Sequence, residues 1–246
     1  MSFTIEDMIL IAEKRYEMKF LAGKNGWANS ISWVHLLEGT TIIQNFWGKE
    51  LAVTTGLGFP QKEDWMHLAR QLNQFHASGL IINVGQYIEE VPKELIAYCD
   101  ENDLPLLTVP WEVHLSDMIK DFSIHVFLQD NTDEQIASAL IKVIETPEKQ
   151  NEYRKELLQH FDVDGSFQVF LLTCEGLDAM DTVERKKLSY RIQVYLEDIT
   201  HNASFFYYNS DFVLVANAIT EEFLCQLAEG TLKRGKKRMP GLELCV

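Results

Sequence analysis

Hydrophobic and polar positions follow two periods in the first half of the chain. Compact apolar runs, ELAVTTG, GLIINVG and LPLLTVP, are typical of buried strands. Between them, apolar residues recur at helical spacing, as at Trp65, Leu68 and Leu72. Because strands and helices alternate with short connections, the pattern predicts parallel strands joined by right-handed crossovers. Residues 1–125 are therefore predicted to form an α/β sandwich domain with a parallel or mixed sheet.

Local signals set the expected ends of the helices. Thr4, with Asp7 three residues on, predicts a capped first helix. Gly79 is expected to end the helix that contains Trp65, and Pro92 to lie in the first turn of the next one. Ser116 is expected to cap the helix that follows LPLLTVP.

Residues 126–161 are predicted to be a helical linker in two segments. Thr132 is expected to cap the first segment, and Thr146-Pro147 to start the second. Each has an apolar side, formed by Ile136, Leu140, Val143 and Ile144 in the first and by Tyr153, Leu157 and Leu158 in the second. Such stripes suit pairing with a second copy of the chain, or packing on the helices' own domain, and the pattern leaves both open.

Residues 162–246 predict the order β-α-β-β-α-β, a ferredoxin-like α+β domain. The helix after the first strand is expected in DTVERKKLSYRIQVYLEDIT, and a hairpin is expected to turn at Asn209-Ser210. The sequence stops within the last predicted strand, so the natural polypeptide is expected to continue.

Composition narrows the class of protein. The chain has 246 residues, 46% hydrophobic and 24% charged, which is typical of a globular protein with a substantial core. The net charge of −15 argues against binding of nucleic acid by this part of the polypeptide. Four dispersed cysteines, with no membrane span and no signal peptide in the sequence, favour a reducing cytoplasm.

Signatures of catalysis are missing from the sequence. It contains no GxxxxGK[ST], HExxH or GxSxG motif. Gly56 and Gly58 follow a predicted strand, but Gln61 stands where a dinucleotide-binding loop has its third glycine. No catalytic residue, cofactor or metal ligand is therefore predicted, and the chain is not expected to be an enzyme.

Polar and aromatic residues cluster where the predicted strands end, which favours binding of a small molecule. In open parallel sheets, ligands bind at the carboxyl ends of the strands. Hydroxyl groups, glycine and aromatic rings there suit a polar, planar ligand. The predicted ligand-binding residues are His35, Glu50, Thr54, Thr55, Gly56, Trp111 and His114. For the histidines, Glu50 and Trp111, an ordinary structural role is the alternative.

Three stretches together resemble a known family. ISWVHLLE, GKELAVTTGLG and the segment from INVGQYIEEVPKEL to LPLLTVPWEVHLSDM resemble the N-terminal domain of the PucR-like transcriptional regulators of bacterial purine catabolism. The resemblance implies a middle region similar to a degenerate GGDEF domain and a C-terminal helix-turn-helix. No such helix-turn-helix is found in these 246 residues, so DNA binding is expected to belong to a segment beyond them.

The resemblance also bears on nucleotide chemistry. An active diguanylate cyclase has two glycines and two acids on its central hairpin, whereas this hairpin reads YYNSDFVLV, with Asp211 following Asn209-Ser210. Glu175 is the one acid after the first strand of this region where a metal ligand is expected. Two-metal phosphoryl chemistry needs converging carboxylates, so cyclase activity is not expected.

Three hypotheses follow for the whole chain. The first is the ligand-sensing and dimerising part of a cytoplasmic regulator of purine or nitrogen-compound catabolism, with a purine or breakdown product as effector. The second is a small-molecule enzyme that uses Glu50 or His35 as a general base in the same cleft. The third is a dimerisation scaffold that binds no ligand.

Overall fold

A computed structural model describes residues 3–174, 176–182, 184–185, 188–189, 192, 196, 200, 202–236 and 242–245. The chain divides into two compact units, Met1–Gln129 and Asp130–Val246. Each unit contains its own sheet and its own hydrophobic clusters, and the two are described separately.

The first unit is built on a five-stranded mixed sheet in the order β1-β5-β4-β3-β2. Its strands are β1 (Lys19–Ala22), β2 (Trp33–Leu36), β3 (Glu50–Thr54), β4 (Gly79–Val84) and β5 (Leu106–Pro110). Strands β2 to β5 are parallel, and β1 pairs antiparallel with β5. We call the edge where β2 to β5 end the carboxyl edge; the antiparallel β1 begins there.

Helices cover both faces of this sheet. They are α1 (Ile5–Arg15), α2 (Lys62–Gln74), α3 (Lys93–Glu101) and α4 (Leu115–Glu145), with short 3-10 turns at Lys24–Ala28 and Thr41–Asn45. Helices α2 and α3 bury Leu68, Leu72 and Leu95 on one face, while α1 and the first part of α4 bury Met8 and Phe122 on the other. The predicted α/β sandwich is confirmed.

Several helix boundaries follow the predicted signals. Thr4 caps α1 in a reciprocal capping box with Asp7, as predicted, and Pro92 lies at the N-cap of α3.

Two predicted boundaries in the first unit are wrong. Helix α2 ends at Gln74, and the left-handed residue after it is His76 (φ 55°), whereas Gly79 is the buried first residue of β4. A Cβ at Gly79 would lie 2.9 Å from the Pro105 carbonyl oxygen, so close strand packing explains this glycine. Helix α4 begins at Leu115, which places Ser116 inside its first turn.

The linker prediction needs a similar correction. Helix α4 continues without a break to Glu145, so Thr132 lies inside it and does not begin a helix. A 3-10 turn at Pro147–Lys149 then leads to α5 (Gln150–Leu157), close to the predicted second start.

The second unit contains an antiparallel sheet in the order β7-β8-β6-β9, the order of a ferredoxin-like split βαβ fold. Its strands are β6 (Phe167–Cys174), β7 (Ala203–Tyr208), β8 (Asp211–Asn217) and β9 (Leu242–Cys245). The hairpin turns at Asn209 and Ser210 (φ 54° and 76°), as predicted, because positive φ at both central residues matches the twist of the flanking strands.

Both faces of the second sheet carry hydrophobic clusters. One cluster joins β6 and β8 to α6 (Glu221–Lys236), through residues such as Phe212 and Leu227. The other joins the sheet to α4 and α5, through Val213, Val215, Ile136 and Leu157. Much of the apolar side of the linker helices therefore packs on the sheet of their own unit.

Part of the second unit lies outside the described residues. The helix predicted in residues 181–200 is described at Thr182, Glu184, Arg185, Leu188, Ser189, Ile192 and Leu196, all with helical backbone. Asp181 and Thr200, at the two ends of the stretch, are described without helical backbone, and its remaining residues lie outside the described part. Leu188, Ile192 and Leu196, spaced four apart, are buried with Phe170 and Phe205. Glu175, the expected metal-ligand position, also lies outside the described residues.

Candidate functional site

The carboxyl edge of the first sheet brings together some, but not all, of the residues predicted to bind a ligand. Thr54 ends β3, Thr55 and Gly56 follow it, and Trp111 follows β5, so these residues share that edge. Glu50 begins β3 at the opposite edge, about 13 Å from Thr54 along the strand. The predicted set therefore does not form one continuous site.

Glu50 is a structural carboxylate in this fold. It is buried, and its two oxygens accept the backbone N–H groups of Trp47 (2.6 Å) and Gly48 (2.8 Å). These residues form a turn in which Gly48 and Lys49 both have positive φ (111° and 67°). Burial raises the pKa of Glu50, and the backbone hydrogen bonds oppose that rise. Its side chain is committed to holding the turn that begins β3.

The two predicted histidines are far from equivalent. His35 lies in the middle of β2, paired in register with Ala52, and its ring stacks on Phe46 with centroids 5.1 Å apart. Burial lowers the pKa of His35. His114 lies just before α4 with an exposed side chain, and its Nδ1 is 2.9 Å from Oδ2 of Asp117.

Thr54 and Thr55 direct their hydroxyl groups at a carboxylate of the chain itself. Thr54 Oγ1 donates to Glu38 Oε2 (3.1 Å), and Thr55 donates to Glu38 Oε1 through its hydroxyl (2.6 Å) and its backbone N–H (2.8 Å). Gly58 N–H also approaches Glu38 Oε2 (3.4 Å). The loop after β3 is therefore closed around the residue that follows β2.

Sequence reasoning missed Glu38, because the register of β2 on β3 is set by the packing of the whole sheet. Parallel pairing of Leu36 with Val53 places the residue two past β2 beside Thr55. A carboxylate and a pair of threonines at matched distances beyond adjacent parallel strands are therefore expected to meet.

An open cleft of about 510 Å³ lies at the carboxyl edge where β4 and β5 end and β1 begins. Apolar side chains of the strands, of α3 and of the loop before it line the cleft: Leu21, Val84, Val91 and Ile96. The half-buried Thr108 contributes a hydroxyl group. The volume falls within the usual range for small-molecule sites, about 300–1,000 Å³.

Charged side chains of both signs surround this β4–β5 cleft. They are Glu17, Glu89, Glu90, Lys19 and Lys93, all exposed. None of the five pairs with another charged side chain in the part of the chain that the structure describes. These residues carried no sequence signal, because exposed Lys and Glu on a helix or loop are the normal composition of a protein surface. The lining of the cleft is chemically suited to a small molecule that offers both charge and an apolar face.

An aromatic pair lies on the same edge, beside the cleft. Tyr87 and Trp111 meet edge to face with ring centroids 5.6 Å apart, and both are partly exposed. The loop after β4 approaches Trp111 closely, since a Cβ at Gly85 (φ 148°) would lie 2.5 Å from the Cβ of Trp111. Buried Asn83 donates to the Pro110 carbonyl oxygen (2.6 Å) and fixes the end of β5.

The described residues offer no group of three or more His, Cys, Asp or Glu side chains able to hold a metal ion. Nor does any helix among them have the length and apolar character to cross a membrane.

These features define an α/β domain with an open cleft at the carboxyl edge of its sheet, followed by a ferredoxin-like unit. Residues 9–126 match the model of the purine catabolism regulatory protein-like family, known as PucR. The chain therefore carries a PucR-family domain, which occupies nearly all of the first unit.

A curated relative supports the match. The purine catabolism regulatory protein of Bacillus subtilis (strain 168) is 27% identical over 107 residues, which are 43% of this chain and 20% of that protein. The aligned part thus spans about a fifth of the length of the relative. No solved structure matches the chain.

Proposed function

We propose that this chain is the effector-sensing part of a cytoplasmic bacterial transcriptional regulator of purine catabolism. The observation that carries the proposal is the family match over residues 9–126, in a unit whose sheet has an open cleft at its carboxyl edge. The B. subtilis relative is named as a regulatory protein of purine catabolism, which supports the same class of function here.

The proposed effector site is the β4–β5 cleft together with the Tyr87–Trp111 pair. Purines and their breakdown products are small, rich in hydrogen-bonding groups and often charged. Lys93 and the Thr108 hydroxyl supply donors, the glutamates supply acceptors, and Trp111 supplies an exposed aromatic surface. His35 and Glu50 have structural partners, so they are not included in this site.

The proposed signal leaves the site through α4. Only four residues separate Pro110, which lines the cleft, from Leu115, which begins that helix. A ligand that fixes the loop after β5 would bias the position of α4, provided that it binds two states of the protein with unequal affinity. DNA contact would belong to a helix-turn-helix outside this chain.

Self-association through α4 and α5 belongs to the same proposal. Ile136, Leu140 and Leu157 are buried within the second unit, so they are not available for it. Of the apolar residues predicted for the linker, Val143, Ile144 and Leu158 are exposed, and a dimer contact would use them. Helix α4 also exposes Ile124, Phe127 and Leu128, nearer its start.

The second unit is proposed to be a degenerate GGDEF-like domain without cyclase activity. Its topology is ferredoxin-like, and its central hairpin turns through Asn209-Ser210 in place of two glycines. Asp211 is the first residue of β8, and no cluster of metal-binding acids accompanies it among the described residues.

A thermal-shift screen against purine bases, urate and allantoin tests the proposal. Saturable stabilisation without turnover is expected, about 2.7 kcal/mol at a ligand concentration of 100 Kd. Lys93→Glu and Thr108→Val should abolish it, whereas Lys14→Glu, on the exposed side of α1, should leave it intact. Turnover of a compound would favour the enzyme alternative. A blank screen with a dimer that persists on dilution would favour the scaffold.

A further inference from the structure

Residues 54–58, which are the last residue of β3 and the loop that follows it, surround the Glu38 carboxylate with hydrogen-bond donors. Four donors converge on its two oxygens, two hydroxyl groups and two backbone N–H groups, at 2.6–3.4 Å. No cation pairs with Glu38 among the residues that the structure describes. Its charge is therefore held by neutral donors alone, as an anion is held in a binding site.

The threonine hydroxyl groups are oriented for this role. Thr54 Oγ1 accepts the Gly56 N–H (3.1 Å), and Thr55 Oγ1 accepts the Leu57 N–H (3.4 Å). Because each hydroxyl accepts from the backbone two residues on, its single proton is free to donate to the carboxylate. The loop thus presents a preorganised set of donors whatever carboxylate occupies it.

Two contacts fix the position of Glu38 against the loop. Leu37 N–H donates to the Val53 carbonyl oxygen (2.9 Å) and continues the β2–β3 pairing as far as Glu38. At Gly58, an added Cβ would lie 1.9 Å from the Glu38 carbonyl oxygen, so only glycine permits this approach. The backbone at Glu38 is therefore held against the loop as well as its side chain, so the arrangement does not depend on one flexible side chain.

We propose that residues 54–58 form a carboxylate-binding site whose resident occupant is Glu38. A ligand that presents a carboxylate to this loop has to displace Glu38, and its binding is coupled to release of the segment that follows β2. The site is separate from the β4–β5 cleft, and it does not depend on the function proposed above.

Replacement of Glu38 by alanine tests the site directly, because the atoms removed correspond to acetate. Glu38→Ala should lower the melting temperature by about 5 °C or more, since four donors lose their acceptor. Sodium acetate should then restore at least half of the loss, with a saturable dependence. Sodium chloride at equal ionic strength should not.

Controls separate this site from general effects of acetate. Wild type, in which Glu38 fills the loop, and Glu13→Ala, which removes an exposed carboxylate of α1, should gain no more from acetate than from chloride. Should Glu38→Ala fail to fold, Glu38→Gln provides a second measurement: the NH2 of its amide opposes donors of the loop, so this variant should have a lower melting temperature than wild type. An unchanged melting temperature on substitution, or equal gains from acetate in variant and wild type, would overturn the proposal.

Discussion

Replacement of Glu50 by alanine should destabilise the first unit strongly while leaving ligand binding at the cleft intact. The carboxylate is 6% exposed and accepts two backbone N–H groups from the turn before β3. Each buried donor left without an acceptor costs about 1–3 kcal/mol. The variant no longer buries a carboxylate, which offsets part of this cost. The expected net loss in the free energy of unfolding is therefore about 3 kcal/mol.

Urea unfolding followed by tryptophan fluorescence measures this loss. All five tryptophans lie within the first 111 residues, so the signal reports the first unit. With a slope of about 2 kcal/mol per M, the midpoint should fall by about 1.5 M. Glu13→Ala is the control, since Glu13 is exposed on α1 and should leave the midpoint unchanged. A midpoint for Glu50→Ala within 0.3 M of wild type, as a rough limit, would refute the structural role.

The pH dependence gives a second readout of the same residue. Burial raises the pKa of Glu50 in the folded protein above its ordinary value of 4.5. The folded state therefore holds this proton more tightly than the unfolded chain does. The stabilisation that comes from this tighter proton binding is fully present below the ordinary pKa and is lost as pH rises through the raised pKa. Glu50→Gln should remove this component, so the stability of wild type minus that of the variant should be larger at about pH 5 than at about pH 8.

Three further substitutions test other parts of the structure. Gly58→Ala should lower the unfolding free energy by about 2–3 kcal/mol in urea titrations. Gly39→Ala is the control: an added Cβ there meets nothing within 4 Å, so the change should be well under about 1 kcal/mol. Asn217→Ala should cost about 2–3 kcal/mol by calorimetry, because this buried amide bonds to the backbone at Asp162 and Ser166; an unchanged second transition would contradict that. Burial and a hydrogen bond to the Asp121 carboxylate raise the pKa of Tyr16 to about 12. Tyr16→Phe should therefore remove the component that ionises at the highest pH from an ultraviolet titration of the tyrosines. A titration curve unchanged at high pH would contradict this environment.

Two local signals predicted the structure correctly. The capping box at Thr4 and Asp7 and the turn at Asn209-Ser210 depend on residues a few positions apart, and both are confirmed. Alternation of buried strands and amphipathic helices likewise defined the sandwich. By contrast, Gly79 carried a local helix-end signal, but its position is decided by packing against Pro105, the residue just before the neighbouring strand β5.

The candidate site shows the same division. The topology of parallel strands correctly places Thr55 and Trp111 at one edge, because parallel strands end together. It did not show that Glu50, at the start of the same strand, faces a different set of partners. Residues such as Lys19 and Lys93 are ordinary surface positions in the sequence, and they line one cleft because β1 lies antiparallel beside β5.

The stretch GKELAVTTGLG illustrates what the sequence determines and what the tertiary structure determines. By itself the sequence specified a buried strand that ends in hydroxyl groups and glycines, since apolar clustering and turn residues act over a few positions. Only the tertiary structure decided that the Glu38 carboxylate accepts hydrogen bonds from those hydroxyl groups and that the open cleft lies at the ends of β4 and β5. Hydrogen-bond partners across strands depend on pairing register, and register is fixed by the packing of the whole sheet.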